Sequence, residues 1–138
     1  MPDVFLTGGT GFVGGALLRR LVAEGRAVRA LARTADGQRL VRSLGAEAVA
    51  GDLFDTDALT RGMSGCRVAF HAAGVNAMCL PDPAPMLRAN VDGAAAVVEA
   101  AARAGVPRVV HTSSAVTIGE AAGAVGSEAT PHRGAYLS

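Results

Sequence analysis

The chain has 138 residues, half of them hydrophobic, and thirteen basic against twelve acidic residues for a formal net charge of +1; that is enough for one compact core and too little for two ordinary domains. Every basic residue is arginine, scattered from Arg19 to Arg133 among the acids, so no basic face is built to hold a phosphate backbone, which argues against nucleic acid as a partner. No apolar run approaches the roughly 20 residues of a membrane span, and no charged leader precedes the first strand-like run, so the expectation is a soluble, cytoplasmic protein without a membrane partner.

Short β-branched runs alternate with Ala/Leu-rich stretches of helical period, the pattern of βαβ units on a parallel sheet. "DVFLT" (Asp3 to Thr7) is the first predicted strand. "FVGGALLRRLVAEG" follows as a helix with Val13, Leu17, Leu18 and Leu21 on one face, and it stops at Gly25. "AVRALA" (Ala27 to Ala32) and "AEAVAG" (Ala46 to Gly51) are the second and third strands. After "GDLFD", "ALTRGMSG" reads as a short helix capped by Asp55 or Thr56. "RVAFHA" (Arg67 to Ala72) is the fourth strand, and a helix of about twenty residues runs from near Pro85 to Ala104, ending at Gly105 before Pro107. "RVVHT" (Arg108 to Thr112) is the fifth. All five strands are nearly continuous apolar segments, as expected of strands covered on both faces. "GEAAGAVG" (Gly119 to Gly126) carries three glycines and reads as a mobile loop. Cys66 and Cys79 are isolated thiols without metal-ligand spacing, so neither a metal site nor a disulfide is expected.

The chemistry is concentrated where the first strand meets the first helix. "FLTGGTGFVGG" puts Gly9, Gly11 and Gly14 in G-x-G-x-x-G spacing. In that context the glycines allow a tight turn and close backbone approach, and the helix N-terminus offers free N–H groups and a positive dipole end to a pyrophosphate. His71, at the buried end of a strand, reads as a packed strand residue.

With Thr7 and Gly8 the stretch becomes T-G-x-x-G-x-x-G, which resembles the fingerprint of the extended short-chain dehydrogenase/reductase superfamily, the group of nucleotide-sugar epimerases and dehydratases, dihydroflavonol reductases and hydroxysteroid dehydrogenases. "GDL" (Gly51 to Leu53), "HAAG" (His71 to Gly74), "RANVDG" (Arg88 to Gly93) and "VVHTSSAVTIG" (Val109 to Gly119) fit the same superfamily in order and approximate spacing. The resemblance implies a Rossmann-type α/β fold: a doubly wound parallel sheet of about five strands in the order 3-2-1-4-5. It implies that residues 1–138 are an NAD(P)-binding domain incomplete at its C-terminus, without the last strands and the substrate domain, and that the full-length protein is a homodimer acting on a small-molecule substrate.

The resemblance also assigns residues. Gly8, Gly11, Phe12, Val13 and Gly14 would hold the pyrophosphate. Asp52 would accept a hydrogen bond from the adenine amino group, and Leu53 would pack on the ring. Ala72, Ala73 and Gly74 would line the cofactor's ribose and pyrophosphate side, with Asn90, Thr112 and Ser113 as further cofactor-side positions. An acid after the second strand would bind the ribose of NAD, whereas arginine there neutralises the extra phosphate of NADP. Here Ala32 stands where NAD-type members often carry aspartate and Arg33 follows it, which favours NADP, with NAD as the alternative.

In this superfamily a tyrosine exchanges a proton with the substrate, a lysine four residues later lowers its pKa, and a serine near the end of the fifth strand fixes the substrate oxygen. Ser114 matches the serine. Tyr136 is the only tyrosine, closer to Ser114 than the superfamily's spacing, and the chain contains no lysine. The expected function is therefore NAD(P)-dependent oxidoreductase or epimerase chemistry by hydride transfer at a hydroxyl- or carbonyl-bearing carbon of a sugar-nucleotide or other small substrate, with the 138 residues alone inactive. Asn76, Met78 and Cys79 are candidate substrate contacts. A non-catalytic NAD(P)-binding sensor and a truncated, inactive fragment are the competing readings.

Overall fold

The strand β1 (Val4–Thr7) is buried along its whole length and sits at the middle of a five-stranded sheet. The computed structural model describes residues 3–77 and 79–132. On one side of β1 lie β2 (Val28–Ala32) and β3 (Glu47–Ala50), on the other β4 (Val68–His71) and β5 (Val109–His111), all parallel, in the order β3-β2-β1-β4-β5. The chain winds outward to β3 and then returns past β1, so β1 and β4 pair side by side where the winding direction reverses. This is the doubly wound Rossmann-type arrangement expected from the sequence.

Successive side chains of β1 point to opposite faces and organise two cores. Val4 and Leu6 pack with Leu18 and Leu21 of α1 (Phe12–Ala23) and Val41 of α2 (Ala35–Ser43). Phe5 packs on the other face with Leu59 and Met63 of α3 (Thr56–Met63) and Val97, Ala100 and Ala101 of α5 (Gly93–Arg103). Phe5, Leu6, Leu18 and Leu59 are fully buried, each worth about 1.5–3 kcal/mol relative to exposure. Arg29 lies on β2, ion-paired to Glu47 and donating to the carbonyls of Gly62 and Ser64, so its guanidinium ties β2 to β3 and to the end of α3.

Two expectations need correction, and a third gains detail. Val13 does not join Leu18 and Leu21 on the buried face of α1 but is 55% exposed; in the first turn it is Gly14 and Gly15 that are buried. The outer strands are not covered on both faces: Glu47 is exposed, and on β5 Val109 packs toward α5 while Val110 on the opposite face is 41% exposed. The long helix spans the expected residues but is not uniform. It starts as α4 (Ala84–Leu87), passes through a π turn (Arg88–Asp92) and continues as α5, with helical backbone angles across each junction. The π turn adds a residue to one turn and re-aims the helix beyond it.

Candidate functional site

The glycine loop is shaped by contacts that a side chain would destroy. Gly8 has φ +77°, and a Cβ there would lie 2.6 Å from the Ala72 carbonyl and the Ala73 nitrogen. A Cβ on Gly14 would lie 2.1 Å from the Gly8 carbonyl oxygen. The loop is therefore pressed between the start of α1 and the end of β4, and its turn is closed by the Gly11 N–H donating to the Gly8 carbonyl at 2.9 Å.

The three helices that begin beside the strand ends differ in how they are capped. Thr34 caps α2 by accepting from the Gly37 N–H, and Asp55 caps α3 by accepting from the Ala58 N–H. Gly11 at the start of α1 has no side chain to cap with, and the first turn holds no acid. The orphan N–H donors and the positive end of that helix are thus left for an anionic ligand.

A cleft of about 420 Å³ opens at the carboxyl ends of β1, β2, β3 and β4, a size within the range of small-molecule sites. Its floor is the glycine loop, through Gly8, Thr10 and Gly11. Arg33 and Thr34 stand at the end of β2, Asp52, Leu53 and Phe54 at the end of β3, and Ala72, Ala73 and Gly74 at the end of β4. Small residues at the β4 end thus lie on one side of the loop, and a cation at the β2 end and a carboxylate at the β3 end lie on the other. One Asp52 oxygen, Oδ1, accepts from the N–H groups of Phe54 and Asp55 at 2.7 and 3.1 Å, which orients the carboxylate and leaves Oδ2 for another donor. Open α/β sheets bind ligands at such a switch point, outside the strand ends.

The β4 side of the cleft is held by two side-chain contacts. His71 is 2% exposed, and its Nδ1 lies 2.6 Å from the Thr7 Oγ1, which also accepts from the Ala73 N–H at 3.3 Å. Burial pushes the imidazole pKa down to about 4, with a smaller contribution in the same direction from His111, whose ring stacks on it at 5.1 Å. His71 is therefore neutral at pH 7, and its Nε2 has no partner among the described residues. One step further along, Asn90 in the π turn accepts from the Val75 N–H and donates to the Val75 carbonyl, both at 2.8 Å. Its amide mimics a strand partner for the segment after β4.

Of the residues assigned by resemblance, Gly8, Gly11, Arg33, Asp52, Leu53, Ala72, Ala73 and Gly74 share the wall of this one cleft. Gly14 supports it from behind, and Asn90 stands behind the wall, its amide bonded to the Val75 backbone and its Oδ1 close against Gly74. Phe12, at 95% exposure, and Val13 stand outside the wall at the start of α1. Thr112, Ser113 and Ser114 follow β5 and also lie outside it, all exposed. The Thr112 N–H donates to the His71 carbonyl, and the Ser114 carbonyl accepts from Thr117, which fixes the short 3₁₀ turn Ala115–Thr117. Asn76 and Cys79 are exposed in the segment after β4. Met78, Arg133 and Tyr136 lie outside the described residues. Sequence reasoning missed Phe54, Val75 and Ala89 as wall residues. Phe54 carried a signal, an aromatic directly after "GDL" in a chain with four phenylalanines, and Ala89 lies within "RANVDG"; Val75 carried none.

The sequence matches the NAD dependent epimerase/dehydratase family over residues 4–137. It is 41% identical over 116 residues to a 4-hydroxy-2-methyl-3-oxo-4-farnesyl-3,4-dihydroquinoline-1-oxide ketoreductase of Stigmatella aurantiaca, covering 84% of this chain and 34% of that protein. It is also 41% identical over 115 residues to a putative dihydroflavonol 4-reductase of Synechocystis, covering 83% of this chain and 33% of that one. Among solved structures, a short-chain dehydrogenase/reductase superfamily protein from Agrobacterium tumefaciens with bound NAD superposes with a TM-score of 0.69 at 31% identity, covering 83% of this chain and 33% of that one. The chain thus spans about a third of the length of these relatives.

Proposed function

The chain belongs to the NAD dependent epimerase/dehydratase family, and from that premise we propose that its cleft binds a nicotinamide dinucleotide, with NADP preferred, for hydride transfer at a hydroxyl- or carbonyl-bearing carbon of a small substrate. The observation that carries the reading is the uncapped start of α1, facing a loop in which Gly8 and Gly14 leave no room for a Cβ. A pyrophosphate there would take the free N–H groups without a neighbouring acid to repel it. The Asp52 carboxylate suits an exocyclic amino donor, and Leu53 offers an apolar face beside it. Arg33 stands exposed on the cleft wall after β2, where Ala32 leaves no carboxylate to bind ribose hydroxyls. Its guanidinium suits a ribose 2′-phosphate.

When bound, the cofactor supplies the hydride. This chain's residues bind and orient it: α1 and the glycine loop hold its anionic centre, and the β4 end keeps the opposite wall close. Ser114 is assigned to orient the substrate oxygen. The ammonium needed to activate a catalytic tyrosine is not among these 138 residues, which contain no lysine, so the activity tested directly on this chain is cofactor binding. Titration of the purified protein into NADPH and NADH, read by reduced-nicotinamide fluorescence, gives saturable binding with NADPH tighter. Arg33→Ser weakens NADPH by about tenfold or more and leaves NADH nearly unchanged, since one charge-assisted hydrogen bond is worth roughly 1.5–3 kcal/mol. No saturable binding of either nucleotide sinks the proposal; equal losses for both refute the assignment of Arg33.

A further inference from the structure

The end of β3 is clamped from above by the segment that contains the π turn. Phe54 lies on the cleft wall and is 40% exposed, and the Arg88 guanidinium sits over its ring at 4.3 Å from the centroid. Arg88 is exposed and makes no ion pair among the described residues. Its neighbour Ala89 reaches the same cleft, Asn90 grips Val75, and Gly93 receives Leu53, whose Cδ1 lies 2.9 Å from where a Cβ would stand. The run from Arg88 to Gly93 thus touches the β3 end twice and the β4 end once. These are the two sides of the cleft at its Asp52 end.

We infer that Arg88, by stacking on Phe54, is a positioning residue for the adenine half of the nucleotide, an inference that rests on the proposed function. A half-exposed phenylalanine on a loop would sample several rotamers, and a ligand would have to order it. A guanidinium over the ring fixes its plane before the ligand arrives, and the attraction strengthens as the pair is desolvated. Phe54 then extends the apolar wall that Leu53 begins, beside the carboxylate of Asp52. The nicotinamide end receives nothing from either residue.

The test compares Arg88→Met, Arg88→Lys, Phe54→Leu and the double variant R88M/F54L with the unaltered protein, using NADPH, adenosine 2′,5′-bisphosphate and reduced nicotinamide mononucleotide. Arg88→Met weakens NADPH and the bisphosphate by the same factor, about three- to tenfold, and leaves the mononucleotide unchanged. Arg88→Lys restores most of the loss because it keeps a cation over the ring. The double variant binds no worse than Phe54→Leu alone, since Arg88 acts through the ring. Unchanged affinities, equal losses at both halves, or additive losses in the double variant overturn the inference. Failure of the unaltered protein to bind any dinucleotide is distinguishable from these, because it removes the proposed function and this inference with it.

Discussion

Gly14→Ala tests the phosphate loop through one methyl group. The added Cβ would stand 2.1 Å from the Gly8 carbonyl oxygen and 2.5 Å from its carbon, whereas real Cβ atoms stay beyond 3.0 Å, so the loop must withdraw by about 0.9 Å. The atoms in the way are backbone, and Gly8 is itself trapped against Ala72 and Ala73, so no side-chain rotation relieves the clash. Overpacking of this kind costs roughly 1–3 kcal/mol, against at most about 1 kcal/mol gained from replacing a helical glycine by alanine. A loop displaced by about an ångström also loses its aim, and cofactor affinity falls by about tenfold or more. The control is Gly15→Ala in the same helix, whose Cβ would meet the Gly9 carbonyl at 3.3 Å. It gains the same helical propensity and asks the Gly9 carbonyl to give by only a few tenths of an ångström, so loop and binding change far less than in Gly14→Ala. Urea denaturation followed by circular dichroism gives the stability of each variant, and NADPH titration gives the affinity. If Gly14→Ala matches Gly15→Ala in both, the close packing of α1 on Gly8 is not what shapes the site.

Two further predictions concern the β4 side. His71 has its pKa lowered to about 4 in the folded protein from 6.5, so between those values the unfolded chain binds the proton and the folded chain does not. Stability is therefore unaffected by this group above pH 6.5 and falls as pH drops toward 4, by about 3 kcal/mol in all. Carboxylates titrate in the lower part of that window, so the measurement is the difference in pH dependence between the unaltered protein and His71→Asn; identical profiles would falsify the neutral, buried imidazole. Asn90→Ala removes both 2.8 Å bonds to Val75 at a site that water can reach. It costs about 1–2 kcal/mol in urea denaturation and loosens NADPH several-fold, and an unchanged denaturation midpoint counts against the staple.

Much of the fold lay open in the sequence because its causes are local. Continuous apolar runs with β-branched residues made strands, helical periodicity and glycine stops bounded α1, and Asp55 announced the start of α3. The glycine spacing marked the tight loop and uncapped helix start, since φ values and helix starts are decided within a few residues. From the β–α alternation and the resemblance came the strand order 3-2-1-4-5.

What tertiary structure decided depends on residues far apart in the chain. Thr7 and His71 are 64 residues apart, and only the parallel register of β1 and β4 brings the hydroxyl to the imidazole. His111 meets His71 because β5 pairs with β4 in that register. The spacing of "RANVDG" could not reveal a π turn, which lets Arg88, Ala89, Asn90 and Gly93 all serve the cleft rim. Local sequence determines what each segment prefers to be; which side chains then share a ligand is set by register and close approach between segments.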